Sequence, residues 1–96
     1  MPYTVVVYDV SDDQRRLRLS RTLEAWGLSR IQRSAFTGRM QRARIRDLAL
    51  LAERLIDPGT DVVHVFQLSR EEWSKTIVLG TPRWGVRSVE GVLLLR

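Results

Sequence analysis

The order of apolar and polar positions along the chain predicts strands and helices in alternation. Residues 3–10 form an apolar, β-rich run, which predicts a buried strand. Apolar residues then recur at helical spacing, at Leu19, Leu23 and Trp26, and Gly27 follows them as a typical C-terminal residue of a helix. The chain therefore begins with a strand followed by an amphipathic helix.

The start of that helix is predicted from its polar residues. Ser11 and Gln14 have the spacing of a capping box, in which the serine caps the first turn and the glutamine reaches back to it. Asp12 and Asp13 then fall in the first turn, where carboxylates interact favourably with the positive end of the helix dipole. These two acids thus have a structural explanation.

The same patterns predict the rest of the chain. In order, we expect extended structure over 28–38, as one bent strand or a tight pair of strands; a helix over 39–56; a strand over 61–68; a short helical turn or loop over 69–75; a strand over 76–80; a turn over 81–85; and an apolar tail over 91–96. The second helix carries Ile45, Leu48, Ala52 and Leu55 on one face.

This order of elements predicts one α+β domain over residues 1–96. Two helices on one face of a mostly antiparallel sheet form a two-layer sandwich of the ferredoxin-like kind. Leu93, Leu94 and Leu95 would make an adhesive edge if they were left unpaired. We therefore expect the segment from about residue 81 to pack on a partner subunit, with its last strand exchanged in a homodimer.

Composition narrows the class of protein. Hydrophobic residues make up 44% and charged residues 28% of the chain, which is ordinary for a folded, soluble domain. There is no cysteine, which excludes disulfides, thiolate zinc sites and cysteine nucleophiles. No apolar run is long enough to span a membrane, and the first residues lack the features of a secretory signal. A cytoplasmic protein without membrane partners is expected.

The distribution of charge adds a candidate partner. The net charge is +5, and fifteen of the sixteen basic residues are arginine. Eleven of the arginines lie between Arg15 and Arg54. A basic surface concentrated on a small domain favours a polyanion, most often nucleic acid. The alternative is a solvated surface without an anionic partner.

Asp9 is the acid that the predicted secondary structure does not explain. It lies at the carboxyl end of the first strand, where it could cap a helix, pair with a nearby arginine or bind a metal. Mg²⁺ commonly takes only one or two protein carboxylates and keeps several waters. One such residue is a poor site alone, so we expect one Mg²⁺ site shared by two copies of Asp9 across a dimer axis.

Other candidate chemistry is sparse. Arg16 lies on the apolar stripe of the first helix near Asp9 and could contact phosphate, whereas Arg18 lies about 200° around the helix. His64, the sole histidine, shares a strand face with Val62 and Phe66 and is expected in the core or at an interface. Without a second histidine or a cysteine, a zinc site is not expected.

Three segments resemble a known family. VVVYDVSDD, the following RRLR and GLSRIQRSAFTG resemble the small CRISPR-associated protein that accompanies the spacer integrase, the Cas-two family. The match covers most of the chain, and Ala35 replaces the more usual valine. The resemblance implies a ferredoxin-like homodimer, an integrase partner, and a C-terminal strand that packs on the neighbouring subunit or on the integrase.

The resemblance also implies the site. Asp9 is the expected metal-binding and catalytic acid, and the other expected catalytic residues are Tyr8, Arg16, Arg18, Arg30 and Phe36. The arginines expected to bind nucleic acid are Arg15, Arg16, Arg18, Arg30, Arg33 and Arg42.

Three functions agree with these expectations. The first is a Mg²⁺-dependent endonuclease of spacer acquisition that cleaves single-stranded RNA, duplex DNA or both. The second is a non-catalytic scaffold that binds duplex DNA within the spacer-integration complex. A ribonuclease toxin on the same fold is the third. The sequence leaves open which of them applies.

Overall fold

The computed structural model describes residues 1–84 and 93–95. Along the chain these form β1 (Tyr3–Asp9), α1 (Asp13–Ala25), β2 (Ser29–Gln32), β3 (Ala35–Arg39), α2 (Arg42–Leu55), β4 (Val62–Leu68), α3 (Arg70–Ser74), β5 (Ile77–Leu79) and β6 (Leu93–Leu95). The predicted extended structure over 28–38 is thus a tight pair of strands, β2 and β3. The predicted turn over 81–85 and the apolar tail lie partly outside the described residues.

A four-stranded sheet organises the domain. Its strand order is β2-β3-β1-β4, and every neighbouring pair is antiparallel. In the centre, Val7 of β1 lies opposite Ala35 on one side and His64 on the other. This topology confirms the predicted α+β class and the two-layer, ferredoxin-like arrangement, with β1 in the interior of the sheet.

Strand alternation decides which side chains enter the core. In β1, Val6 and Tyr8 are buried between the sheet and the helices, whereas Val7 and Asp9 point to the other side and are exposed. The helices contribute the predicted stripes to this core: Leu19 and Leu23 from α1, and Ile45, Leu48 and Ala52 from α2.

Two predicted helix starts are wrong. The N-cap of α1 is Asp12, whose Oδ2 accepts a hydrogen bond from the backbone N–H of Arg15 at 2.9 Å. Ser11 does not cap the helix, because its hydroxyl and its backbone N–H both bind the carboxylate of Asp61. The second helix begins at Arg42 rather than at Arg39, which still belongs to β3 and pairs with Tyr3.

The segment after β4 folds back over one end of the sheet. Trp73 of α3 stacks on Tyr3, with ring centroids 5.1 Å apart and an angle of 7° between the planes. Beyond it, β5 pairs in parallel with β6 of the same chain, Val78 lying opposite Leu94. The exchange of β6 between two copies stays a prediction.

Membrane spans were searched for among the described residues. None of their helices is long and apolar enough to cross a membrane.

Candidate active site

Asp9 ends β1 on the side of the sheet opposite the two long helices, α1 and α2. It lies opposite Val62 of β4 and is exposed to solvent. Its neighbours on the same side, Val7 and His64, are also exposed. The last residue of the strand thus places a carboxylate at the border of an exposed apolar surface. Exposed apolar surfaces of this kind often mark a site of interaction with another molecule.

Within residues 1–84 and 93–95, the Asp9 carboxylate forms no hydrogen bond or ion pair. The two structural explanations from the sequence are therefore not observed. Asp12 is the N-cap residue of α1. The nearby arginines form ion pairs with other acids, Arg15 with Asp61 and Arg16 with Asp13. The carboxylate is left free to bind a ligand.

Asp61 fixes the loop that follows Asp9. Its Oδ2 accepts hydrogen bonds at 2.9 Å from Arg15 Nε and from the backbone N–H of Asp57. Its Oδ1 accepts at 3.1 Å from the backbone N–H and the hydroxyl of Ser11, and the hydroxyl of Thr60 donates to it at the same distance. The side chain is fully buried. This carboxylate joins the start of β4 to the loop between β1 and α1.

The same contacts govern the ionisation of Asp61. The hydrogen bond from Arg15, followed by that from the backbone of Asp57, lowers the pKa of Asp61 well below its ordinary value, although burial acts in the opposite direction. Asp61 was not among the predicted site residues. An acid directly before a strand is the only signal in the sequence, because its partners Ser11 and Arg15 lie 50 and 46 positions away along the chain.

The other expected catalytic residues lie on the opposite side of the sheet from Asp9. Tyr8 is buried there and stacks on Phe36, with centroids 6.3 Å apart. The Arg30 guanidinium carbon lies 4.8 Å from the centre of the Phe36 ring. Arg16 donates from Nη1 to the carbonyl oxygen of Val10 at 2.8 Å. Tyr8, Arg16, Arg30 and Phe36 form one neighbourhood from which Asp9 is separated by the alternation of β1.

The remaining arginines of the predicted interface differ in their availability. Arg18, Arg33 and Arg42 are exposed, and none of the three forms an ion pair with any residue in the described part of the chain. Arg42 makes only a long contact, 3.5 Å, with the side-chain oxygen of Gln67. Arg15, in contrast, supports the loop through Asp61. Its contact with nucleic acid stays a prediction, as it does for the other arginines.

Asp9 borders an exposed apolar surface, which we call the open sheet face. It consists of Val7, Val62, His64 and Phe66. Of its three apolar members, Val7 is 38% exposed, Val62 is 44% exposed and Phe66 is 48% exposed. His64 stacks on Phe66 with 6.0 Å between ring centroids. The expectation of a core histidine is wrong for this chain by itself, because His64 is exposed; a position at an interface stays a prediction.

A metal site was tested against the donors present. Among the described residues, no three His, Cys, Asp or Glu side chains come together as a group that could hold a metal ion. Asp9 offers one hard oxygen donor of the kind that Mg²⁺ prefers. The described residues of one chain thus fit part of a Mg²⁺ site, and a second Asp9 carboxylate from another copy stays a prediction.

Comparison with known proteins identifies the family. The sequence profile described as CRISPR associated protein Cas2 matches residues 1–76. The chain belongs to the Cas2 family. The matched region includes all of the four-stranded sheet, both long helices and every residue of the expected site, so the membership inferred from the three motifs is confirmed.

Individual relatives agree with this assignment. The chain is 35% identical over 80 residues to CRISPR-associated endoribonuclease Cas2 2 of Pyrobaculum aerophilum, covering 83% of this chain and 88% of the relative. It is 34% identical over 68 residues, 71% of its length, to a CRISPR-associated endonuclease Cas1/endonuclease Cas2 fusion of Thermoproteus tenax, of which it covers 26%.

A solved structure has the same fold. The hypothetical protein TT1823 of Thermus thermophilus superimposes with a TM-score of 0.74 and 31% sequence identity, covering 84% of this chain and 93% of that protein.

Proposed function

We propose that this Cas2-family chain is a Mg²⁺-dependent endonuclease of CRISPR spacer acquisition that acts as a homodimer on single-stranded RNA. The observation that carries the proposal is the exposed Asp9 carboxylate at the border of the open sheet face, which has no partner within the described part of the chain. The names of its relatives, which include endoribonucleases, support the reaction class. Duplex DNA is the second substrate to test.

The open sheet face supports the proposed homodimer. Val7, Val62 and Phe66 expose apolar surface beside Asp9, and such a surface is typical of an interface with a second molecule. In a two-fold dimer each residue on the axis meets its own copy. An axis that passes beside Asp9 would bring the two copies of Asp9 together. A dimer of this kind would supply the second carboxylate that the described residues of one chain do not place beside Asp9.

In the proposed reaction, Asp9 would bind the metal ion and the exposed arginines would bind phosphate. Mg²⁺, when bound, would neutralise charge on the scissile phosphate and polarise it. The two Asp9 carboxylates would hold and orient that ion. The exposed arginines would bind the flanking phosphates and so align the strand, and this electrostatic attraction falls as salt rises because counterions are released on binding.

The test is a cleavage assay on single-stranded RNA and on duplex DNA, with Mg²⁺ or with EDTA. We expect Asp9→Ala and Asp9→Asn to reduce metal-dependent cleavage about 100-fold or more, a loss typical of removing an essential charged group. Asp47→Ala is the matched control, because Asp47 is an exposed acid on α2, far along the chain from the site. Equal cleavage by wild type and Asp9→Ala would contradict the proposal.

The alternative is a scaffold that binds duplex DNA without cutting it. One observation favours it, since no group of three potential metal ligands occurs among the described residues. The relative that is fused to an endonuclease named Cas1 supports association with such a subunit, although its Cas2 part is also named an endonuclease. The same assay distinguishes the two functions. Salt-sensitive duplex binding that is equal in wild type and Asp9→Ala, with no cleavage by either, would favour the scaffold and an association with an integrase subunit.

A further inference from the structure

Two cavities share Trp84, on the segment that follows β5. The first is largely apolar, has a volume of about 260 Å³ and includes Val5, Ile31, Leu68 and Val78 in its lining. The second is polar, has a volume of about 250 Å³ and is lined by Gln32, Arg33, Thr81, Arg83 and Trp84. Gln32, Thr81 and Trp84 line both cavities, and we call the pair the Trp84 site.

The Trp84 site lies on the same side of the sheet as Asp9. Val5 lines the apolar cavity, and it alternates with Val6 along β1 as Asp9 does with Tyr8, so Val5 and Asp9 point to the same side. Four residues of a strand separate them by about 13 Å, at about 3.3 Å for each residue. A nucleic-acid strand at Asp9 can therefore extend towards the two cavities.

The ring of Trp84 is supported and still accessible. The guanidinium carbon of Arg30 lies 5.9 Å from the centre of this ring and 4.8 Å from that of Phe36, so one arginine contacts both aromatic side chains. Trp84 is nevertheless 39% exposed. Exposed aromatic rings beside a basic cavity are typical of sites where a nucleobase stacks.

The polar groups around Trp84 have hydrogen-bonding capacity to spare. Within residues 1–84 and 93–95, the side-chain amide of Gln32 forms no hydrogen bond and the guanidinium of Arg83 forms no ion pair, and both side chains are exposed. An amide can donate to and accept from the edge of a base, and a guanidinium group can pair with a phosphate. No acid among the described residues lines either cavity, so the charge of the site is positive.

Part of this site lies outside the region that the Cas2 profile matches. That match ends at residue 76, whereas Thr81, Arg83 and Trp84 follow it. The profile therefore does not describe the aromatic ring on which the site depends.

We propose that the Trp84 site binds one unstacked nucleotide of a single-stranded RNA, with its base in the apolar cavity against Trp84 and its phosphate near Arg83. The two cavities match the two parts of a nucleotide, since a base is flat and stacks on aromatic side chains while its phosphate is charged. A duplex is excluded, because its bases stay stacked on one another. That the natural ligand is RNA rests on the proposed function, whereas stacking of a base on Trp84 does not.

The first experiment measures what the base contributes. The protein is titrated in EDTA with adenosine 5′-monophosphate and with ribose 5-phosphate, which lacks the base, and NMR follows the indole N–H of Trp84 and the amides of Gln32 and Thr81. We expect the nucleotide to bind about tenfold more tightly, as stacking of one base predicts. Trp84→Leu, which keeps an apolar side chain, should remove the difference, whereas Trp84→Phe should keep most of it.

Two glutamine variants extend this test. Gln32→Ala should weaken binding of the nucleotide about fivefold, as the loss of one hydrogen bond predicts. Gln67→Ala is the matched control, because Gln67 is an exposed glutamine on β4, at the opposite edge of the sheet from β2. Equal affinities for the nucleotide and ribose 5-phosphate, or nucleotide binding unchanged in both Trp84→Leu and Gln32→Ala, would overturn the proposal and leave the apolar cavity to a second copy of the chain.

The second experiment separates base contacts from backbone contacts. Single-stranded RNA and a duplex of the same sequence are bound to Asp9→Ala in EDTA, with and without Trp84→Leu. We expect Trp84→Leu to lower the affinity for the single strand about tenfold and to leave that for the duplex unchanged. An equal loss for both, or no loss for either, would overturn the proposal.

The outcome does not depend on catalysis, because binding is measured without metal and without Asp9. A wild type that cleaves RNA while Trp84→Leu binds the single strand normally would contradict this inference alone. Base-dependent binding by a wild type that cleaves nothing would contradict only the nuclease function.

Discussion

Two consecutive residues at the end of β1 serve opposite sides of the molecule. Tyr8 enters the helical layer and stacks on Phe36, while Asp9 is exposed beside Val62. This division follows from the two-residue period of a strand. Substituting Asp9 therefore changes the exposed side of the sheet, whereas substituting Tyr8 changes the packing of the core.

Asp61 supports the position of Asp9 from the other end of the loop. Arg15, Ser11 and the backbone of Asp57 all donate to its buried carboxylate. This network holds the chain between β1 and α1, and it leaves Asp9 outside. We therefore assign Asp61 a structural role, with its effect on activity exerted through the loop.

Asp61 should give the protein an acid-sensitive stability. Its pKa is lowered in the folded chain, so its stabilising effect is complete above the unfolded value of about 3.9 and is lost as the pH falls through the folded pKa. We expect the urea midpoint of wild type to fall steeply below about pH 4. Asp61→Asn should start lower at neutral pH and lose much less on acidification.

The control for this measurement is Asp47→Asn. Asp47 is exposed on α2 and forms no ion pair with any residue in the described part of the chain. Its variant should keep the acid sensitivity of wild type. If Asp61→Asn also kept that sensitivity, the network around Asp61 would not be the origin of the pH dependence.

At the scale of elements, α1 depends on the side chain that caps it. Asp12 accepts the hydrogen bond from the backbone of Arg15, and Asp13 follows in the first turn. Asp12→Ala should lower the free energy of unfolding by about 1 kcal/mol. In a domain of this size that corresponds to a melting temperature lower by about 4–8 °C.

The melting temperatures of Asp12→Ala and Gln14→Ala, measured by calorimetry, distinguish the Asp12 cap from the predicted capping box of Ser11 and Gln14. The predicted capping box would make Gln14→Ala destabilising, whereas the structure predicts almost no effect, since Gln14 is exposed and Asp12 is the cap. A larger loss for Gln14→Ala than for Asp12→Ala would contradict the observed cap.

Hydrophobic periodicity predicted most elements and the fold class. Buried side chains recur about every 3.6 residues in a helix and every two residues in a strand, so the two patterns can be told apart. The stripe of Ile45, Leu48 and Ala52 and the strand ending at Leu68 are confirmed. The cap of α1 could not be predicted correctly, since Ser11 fits a local motif but binds Asp61, a partner distant in sequence. Long-range contacts of this kind leave no local pattern.

The same limit applies to the candidate site. Asp9 could be singled out because no local role accounts for an acid at the tip of an apolar strand. The separation of Asp9 from Tyr8 follows from the alternation of a strand, whereas the position of Phe36 on the Tyr8 side depends on the register of β1 with β3, which pairs Val6 with Phe36. The motif groups these residues, while the fold divides them between two faces.

At the scale of the whole molecule, the account requires a dimer formed through the open sheet face. Phe66 is 48% exposed and is the largest apolar side chain of that face, so Phe66→Glu should abolish dimers in sedimentation equilibrium. Leu50→Glu is the matched control, because Leu50 is 56% exposed on the helical layer and should leave the dimer intact. Dimers that survive Phe66→Glu but not Leu50→Glu would assign the interface to the helices.

Metal-dependent cleavage should also require the dimer. A monomer carries one Asp9 carboxylate, so Phe66→Glu should lose metal-dependent cleavage. Leu50→Glu should keep it. Full cleavage by a monomeric Phe66→Glu protein would mean that one chain holds a complete site.

The central claim is that two copies of Asp9 form one metal-dependent site, and mixing tests it most directly. Wild type and Asp9→Ala are combined at varied ratios and allowed to exchange subunits, which native mass spectrometry verifies, and RNA cleavage is measured with Mg²⁺. The account predicts a rate that falls as the square of the wild-type fraction, because only dimers with both carboxylates are active. A linear fall would contradict a shared site, and a wild type that cleaves no RNA at any ratio would contradict the nuclease function itself.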